Sequence, residues 1–202
     1  MSLYLASQSP RRRELLDQIG VRYRLLAPRV DESLHANEPA GEYVTRLAAA
    51  KAACGAALVA GDSPYPVLGA DTTVVLGAEI MGKPADEADA VAMLNRLSGQ
   101  THRVVSAVSV AGGGRQITRL SITEVTFRPL DQALIARYWL TGEPRDKAGA
   151  YGIQGLGAAF VQKISGSYSG VVGLPLEVLV PLLDEFQVPY WQSVGRTPAV
   201  RT

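Results

Sequence analysis

The segment Ser7-Gln8-Ser9-Pro10-Arg11-Arg12 is the first place in the chain where residue types suggest chemistry. Serine suits a helix N-cap and proline the first helical position, so Ser9-Pro10 opens a helix. Arg11, Arg12 and Arg13 then fall in its first turn, where the helix dipole disfavours exposed cations by roughly 0.3–1 kcal/mol each. Free backbone N–H groups already make that end attractive to anions. Arginines there make sense around a strongly negative ligand, and phosphate matches the planar guanidinium forks. Solvated side chains are the plain alternative. Arg13 can reach Asp17 one turn on and is assigned to that pair; Arg11 and Arg12 are assigned to phosphate.

Asp71 follows the apolar Leu68-Gly69-Ala70 and precedes Thr72-Thr73-Val74-Val75-Leu76. A carboxylate at the end of a buried strand is costly unless it is paired or holds a metal. It is either a functional acid or an ordinary hydrogen-bonded cap of the strand. Asp31-Glu32 sits in a polar loop, where a solvated pair is the ordinary reading. Lys51 lies in an otherwise apolar helix and could simply snorkel. Lys83 is held between Gly82 and Pro84, in the manner of a turn lysine. The stretch from Gly142 to Gly157 sets polar groups among glycines, which let a backbone approach a ligand closely. In it, Gln154 can donate to and accept from a base edge. Cys54 and the methionines read as core, and the tyrosines and tryptophans show no base-stacking pattern.

Other chemistries lose their support on spacing. The 202-residue chain has no G-x-x-x-x-G-K-[ST], no G-x-G-x-x-G after a strand and no C-x-x-C. His35 and His102 are too far apart for zinc spacing. In Gly166-Ser167-Tyr168-Ser169-Gly170 a tyrosine stands where a nucleophile elbow needs serine. Hydrophobic residues make up 47% and charged residues 19%, the balance of a soluble globular protein. The net charge of +1 gives no global attraction to a nucleic-acid polymer, so any anion site must be built locally. Cys54 is the single cysteine, which excludes an internal disulfide. No apolar stretch reaches membrane-spanning length, and the short apolar start before Arg11 lacks the order of a secretory signal. The expectation is a soluble, cytoplasmic, untargeted protein.

The elements that must position these residues alternate. Strands are expected at Leu3–Ala6 and Val21–Leu26, around a helix stopped by Gly20. A polar stretch follows over 28–39. An alanine-rich helix then runs from about Gly41 to Val59, with Leu47, Ala50, Cys54 and Leu58 near one face. After a turn over 62–66, strands Val67–Ala70 and Thr73–Leu76 are interrupted by Asp71-Thr72. Asp86–Leu97 and Asp131–Leu140 read as helices. Thr101–Ala111 and Gln116–Phe127 form a hairpin about Gly112-Gly113-Gly114. Ala159–Ile164 and Tyr168–Val172 read as strands and Leu174–Phe186 as a closing helix. The pattern gives an α/β fold with a mixed sheet, one unit over 1–187, and a loose tail over 188–202.

Taken in order, Leu5-Ala6-Ser7-Gln8-Ser9-Pro10-Arg11-Arg12, Leu68-Gly69-Ala70-Asp71-Thr72, Gly82-Lys83-Pro84, Leu97-Ser98-Gly99-Gln100-Thr101-His102, the Gly142–Gly155 stretch and Val171-Val172-Gly173-Leu174-Pro175-Leu176 resemble the Maf family of nucleotide pyrophosphatases. The resemblance spans Leu3 to about Phe186. It implies a two-lobed, ITPase-like α/β fold with an elongated mixed sheet and the active site in a cleft between the lobes. It implies cleavage of a nucleoside triphosphate between its α and β phosphates, with a divalent cation, Mg²⁺ or Mn²⁺. Asp71 is implied as the catalytic acid and proton acceptor, and Glu32 as an acidic group near the metal. Ser7, Arg11, Arg12, Lys51 and Lys83 are implied as phosphate contacts. Arg12, Thr72 and Gln154 match the branch acting on dTTP and UTP; Gln8 departs mildly from the small residue usual there. Family members are often homodimers. Two rivals stand beside this reading: a house-cleaning pyrophosphatase for ITP or XTP, and a nucleotide-binding regulator of septum formation without turnover.

Overall fold

The computed structural model describes residues 2–59 and 64–191. The start of the expected 62–66 turn and the expected loose tail beyond 191 lie outside the described residues. Within them the chain forms a mixed seven-stranded sheet of order β2-β1-β3-β5-β6-β7, with the short β4 also on β3. The strands are β1 (Leu3–Ala6), β2 (Tyr23–Leu26), β3 (Val67–Leu76), β4 (Glu79–Met81), β5 (Thr101–Gly112), β6 (Arg115–Phe127) and β7 (Val161–Ser165). The helices are α1 (Pro10–Gln18), α2 (Ala40–Leu58), α3 (Glu87–Leu97), α4 (Gln132–Leu140), α5 (Tyr168–Val172) and α6 (Leu176–Glu185). β1 runs parallel to β2 and β3, and the remaining pairings are antiparallel. The mixed α/β architecture is the expected one. No helix among the described residues is long and apolar enough to cross a membrane.

Several local expectations need correction. Asp71-Thr72 does not interrupt a strand: β3 is continuous, and Asp71 pairs opposite Ala107 in its interior. The buried side of α2 is Val44, Leu47, Ala48, Ala52 and Gly55. Leu58 is 62% exposed, and Ala50 and Cys54 are only half-buried. An alanine-rich helix has little contrast between its faces, so the sequence pattern could not choose. Tyr168–Val172 is a helical turn, because the Ser167 hydroxyl accepts from Gly170 N–H and Gly173 closes it at φ 123°. Two adjacent valines had favoured a strand. Arg13 does not pair with Asp17, which accepts instead from the Tyr23 hydroxyl at 3.3 Å. At the far end, Val188 is buried and Trp191 N–H donates to Ile19 O at 2.6 Å. The β5–β6 turn is as expected: Gly113 and Gly114 both take positive φ, 59° and 74°, as a two-residue hairpin requires.

Two features of β3 create the site. First, β1 meets β3 only at Tyr4↔Val67 and Leu5↔Leu68, and β4 meets it only from Val74 on. Between them, residues 69–73 have a strand neighbour on the β5 side alone. This notch lies just past the carboxyl end of β1, the position where open α/β sheets bind ligands. Second, successive strand residues face opposite ways. Leu68, Ala70 and Val74 join the main core, which holds α1, α3, α4 and α6. Gly69 and Val75 face α2. Asp71 therefore points to α2, and Thr72 to the opposite side.

The contact of α2 with β3 is close because both contribute glycine. A methyl group on Gly55 would come 2.8 Å from Val67 Cγ1, and one on Gly69 would come 2.6 Å from Ala52 N. The Gly69 neighbours are helix backbone and cannot step aside. Gly69→Ala is expected to push α2 off the sheet at a cost of about 2–3 kcal/mol, in the range of other overpacked cores. A urea unfolding midpoint, read at unchanged slope, measures it.

Candidate active site

The notch opens into a cleft of about 680 Å³. All nine residues singled out in the sequence line it: Ser7, Arg11, Arg12, Glu32, Lys51, Asp71, Thr72, Lys83 and Gln154. With Lys147 and Asp146 included, five cationic side chains face three acidic ones there. A chain of net charge +1 has thus built its positive field locally, as an anion site requires.

At the centre, Lys51 Nζ sits 2.7 Å from Asp71 Oδ1 and 2.7 Å from Glu32 Oε1. Asp71 and Lys51 are nearly buried, with 11% and 12% of their side chains exposed, and Glu32 is open at 57%. The lysine does not snorkel; it neutralises a carboxylate in the interior of a strand. The α2–β3 glycine contact places it there. The loop carrying Glu32 is held from the same helix. Tyr43 OH donates to Glu32 O at 3.0 Å, and Arg46 grips Glu38 at 2.6 and 2.7 Å and Ser33 O at 3.0 Å. Partial burial pushes the Glu32 pKa up. The Lys51 hydrogen bond and the charges of Lys51, Lys83 and Arg12 outweigh it and leave Glu32 below the usual carboxylate range.

Ser9 occupies the N-cap of α1, but its side chain makes no capping bond. The Ser7 hydroxyl instead accepts from Ser9 N–H and from Arg12 Nη1, both at 3.2 Å. With its lone pairs so used, Ser7 has its proton left for a ligand. Arg12 is also tethered through Nε to Gly173 O at 2.8 Å. Burial lowers its pKa; Asp71 counters this, Arg11 adds to it, and Glu32 counters it again. A guanidinium so stripped of water is relieved by a bound anion. Arg11 meets the exposed Asp146 at 3.5 Å, a weak pair that phosphate can displace. Lys83 is exposed on the cleft wall and makes no ion pair among the described residues.

On the other side of β3, Thr72 Oγ1 lies 2.8 Å from Ser106 Oγ and 3.5 Å from Gly173 O. The exposed Gln154 is carried by a loop closed on itself. Glu143 accepts from Tyr138 OH at 2.7 Å, Leu156 N–H at 2.8 Å and Gly157 N–H at 3.0 Å. Lys147 Nζ bonds Glu143 O at 2.8 Å. Side chains at Gly152 and Gly157 would collide with Lys147 and Tyr138, which accounts for part of the glycine content. The sequence reading missed Tyr43, Tyr151, Ser106 and Gly173. Tyr43 was within reach, since it lies two turns before Lys51 on one face of α2.

Whether a divalent cation suits this site can be tested on its donors. Among the described residues no group of three or more His, Cys, Asp or Glu side chains could hold a metal alone. Asp71 and Glu32 already converge on one cation, the Lys51 ammonium. Neither Asp71 Oδ2 nor Glu32 Oε2 has a protein hydrogen bond among the described residues. That donor set fits Mg²⁺ or Mn²⁺ arriving with phosphate oxygens and waters, which needs only one or two carboxylates.

Residues 2–186 match the family described as Maf-like protein. A dTTP/UTP pyrophosphatase of Alcanivorax borkumensis is 56% identical over 193 residues, 95% of this chain and 99% of that one. One of Saccharophagus degradans is 55% identical over 194 residues, 96% and 92% of the two chains. One of Salmonella typhimurium is 53% identical over 185 residues, 92% and 93%. Among solved structures, the Staphylococcus aureus Ham1 protein overlaps 63% of this chain and 72% of its own at TM-score 0.42 and 15% identity, a likeness too slight to carry weight.

Tyr151, on the cleft wall, is held from behind by His102 Nε2 at 2.8 Å. His102 is 1% exposed, its Nδ1 has no partner among the described residues, and burial lowers its pKa from 6.5 to about 4. The unfolded chain therefore binds a proton at His102 that the folded one refuses, and stability falls as pH drops from 6.5 towards 4. Between about pH 7.5 and pH 5 this amounts to about 2 kcal/mol. Urea unfolding at the two pH values should show that loss, reduced by the same amount in His102→Gln.

Proposed function

This chain belongs to the Maf-like protein family, and on that premise we propose that it hydrolyses dTTP and UTP to the monophosphate and pyrophosphate. The observation that carries the proposal is the gathering of Arg11, Arg12, Lys51 and Lys83 about one buried carboxylate, Asp71, in one cleft. Cations in that number suit a polyphosphate, and the buried Asp71 is the acid placed among them to handle a proton. Relatives 53–56% identical over nearly the whole chain carry the activity in their names.

The phosphate tail lies against the α1 N-terminus, with Ser7 O–H, Arg11 and Arg12 as donors. Lys51 and Lys83 meet it from α2 and from the turn after β4. These charges face the oxygens on which negative charge grows as the α–β anhydride bond breaks, the usual major source of stabilisation in such a reaction. Lys51 holds Asp71 through Oδ1 and leaves Oδ2 open. A water at Oδ2 attacks the α-phosphorus, Asp71 accepts its proton, and pyrophosphate leaves on the side of Lys83 and Arg11. A divalent cation held by Glu32, with Asp71 beside it, would neutralise charge on the phosphate oxygens when bound. Thr72 and Gln154 meet the pyrimidine, and Arg12 links the two halves through Gly173 O. The enzyme acts as a soluble cytoplasmic protein on a small-molecule substrate.

Pyrophosphate release is to be measured with dTTP, UTP, CTP, GTP, ITP and XTP, with Mg²⁺ or Mn²⁺ and with chelator. Turnover is expected on dTTP and UTP, and loss of it with chelator. Asp71→Asn should lower kcat by about a thousandfold or more with the fold retained, in the range typical of general base removal. Near-normal turnover by that variant, or a preference for ITP or XTP, would refute the proposal.

A further inference from the structure

Ser106 stands directly across the β3–β5 ladder from Thr72, and it is 1% exposed. Its hydroxyl donates to Gly170 O in α5 at 2.7 Å. A serine hydroxyl has one proton. With that proton committed to a carbonyl, the 2.8 Å contact between Thr72 Oγ1 and Ser106 Oγ has only one polarity: Thr72 donates and Ser106 accepts. The other acceptor in reach of Thr72, Gly173 O, is farther at 3.5 Å and already takes the Arg12 Nε–H at 2.8 Å. Thr72 Oγ1 is left with lone pairs alone towards the cleft.

We infer that Ser106 is a positioning residue for substrate choice: the proton chain Thr72 to Ser106 to Gly170 O makes Thr72 an obligate acceptor, which selects pyrimidines carrying an N3–H. Uracil and thymine both present that donor. Cytosine presents a lone pair at N3, so an acceptor opposite it meets no proton and is left unsatisfied. Rejection of this kind, by a polar group that the bound base would cover and leave unpaired, is stronger than rejection by shape. The inference rests on the reading of Thr72 as a base contact. It adds a residue that never touches the substrate and gives the preference a direction. α5 takes part as well: Gly170 receives the chain, and Gly173 fixes Arg12 beside it.

The test compares kcat and KM for UTP, CTP and N3-methyl-UTP in the wild type, Ser106→Ala and Ser106→Thr. In the wild type, N3-methyl-UTP should lose at least about tenfold in kcat/KM against UTP, the worth of one hydrogen bond with its unmet partner. Ser106→Ala frees Thr72 to turn its proton to the cleft. The UTP-to-CTP ratio of kcat/KM should then fall about tenfold, mostly through KM, and Ser106→Thr should restore it. Equal use of UTP and N3-methyl-UTP by the wild type overturns the inference whether or not Ser106→Ala folds. An unchanged UTP-to-CTP ratio in folded Ser106→Ala also overturns it. Absence of turnover on any pyrimidine triphosphate would overturn the functional reading together with it.

Discussion

The arrangement of this protein follows from one interaction, the ammonium of Lys51 set between the carboxylates of Asp71 and Glu32. A charge in the interior of a central strand costs several kcal/mol unless it is met by another. Asp71 is tolerated there because α2 comes close enough to supply that partner. The approach depends on Gly55 and Gly69, whose missing side chains let helix and strand backbones touch. Packing and chemistry are thus a single requirement: the contact that buries the helix also loads the site.

The notch in the sheet gives this pair access to a ligand. β1 ends before Asp71 and β4 begins after it, so the edge of β3 is open over a few residues. Alternation of side chains then sends neighbours to opposite faces. Asp71 meets Lys51 of α2, which also holds Glu32, while Thr72 meets Ser106 and Gly173. One dipeptide in an open strand edge serves a phosphate-handling side and a base-handling side. Arg12 belongs to both, being tied to Ser7 at one end of its guanidinium and to Gly173 at the other.

Much of this was legible in the sequence, for reasons that differ by residue. Arg11 and Arg12 stood out because a helix start is a poor place for cations without an anion, and a carboxylate among valines and leucines calls for a partner. The nine candidate residues do share one cleft. The partner itself was not legible. Lys51 lies 20 positions before Asp71, and nothing in an alanine-rich helix marks which face meets the sheet. The break expected at Asp71-Thr72 arose because polar residues interrupt an apolar run, whereas the ladder with β5 continues through them. The valines of Tyr168–Val172 outvoted the capping serine that makes this segment helical. Ser106 carries no signal at all, since a serine in a β-rich run acquires meaning only from what the ladder places opposite it.

The most direct test of this account is a double-mutant cycle on unfolding free energy with Lys51→Met, Asp71→Asn and the two combined. Removing Lys51 alone leaves a buried carboxylate unpaired and should cost about 3 kcal/mol. Neutralising Asp71 as well should return much of that, with a coupling of about 2 kcal/mol. Losses that simply add, within about 0.5 kcal/mol, would mean that the ion pair does not hold the site together.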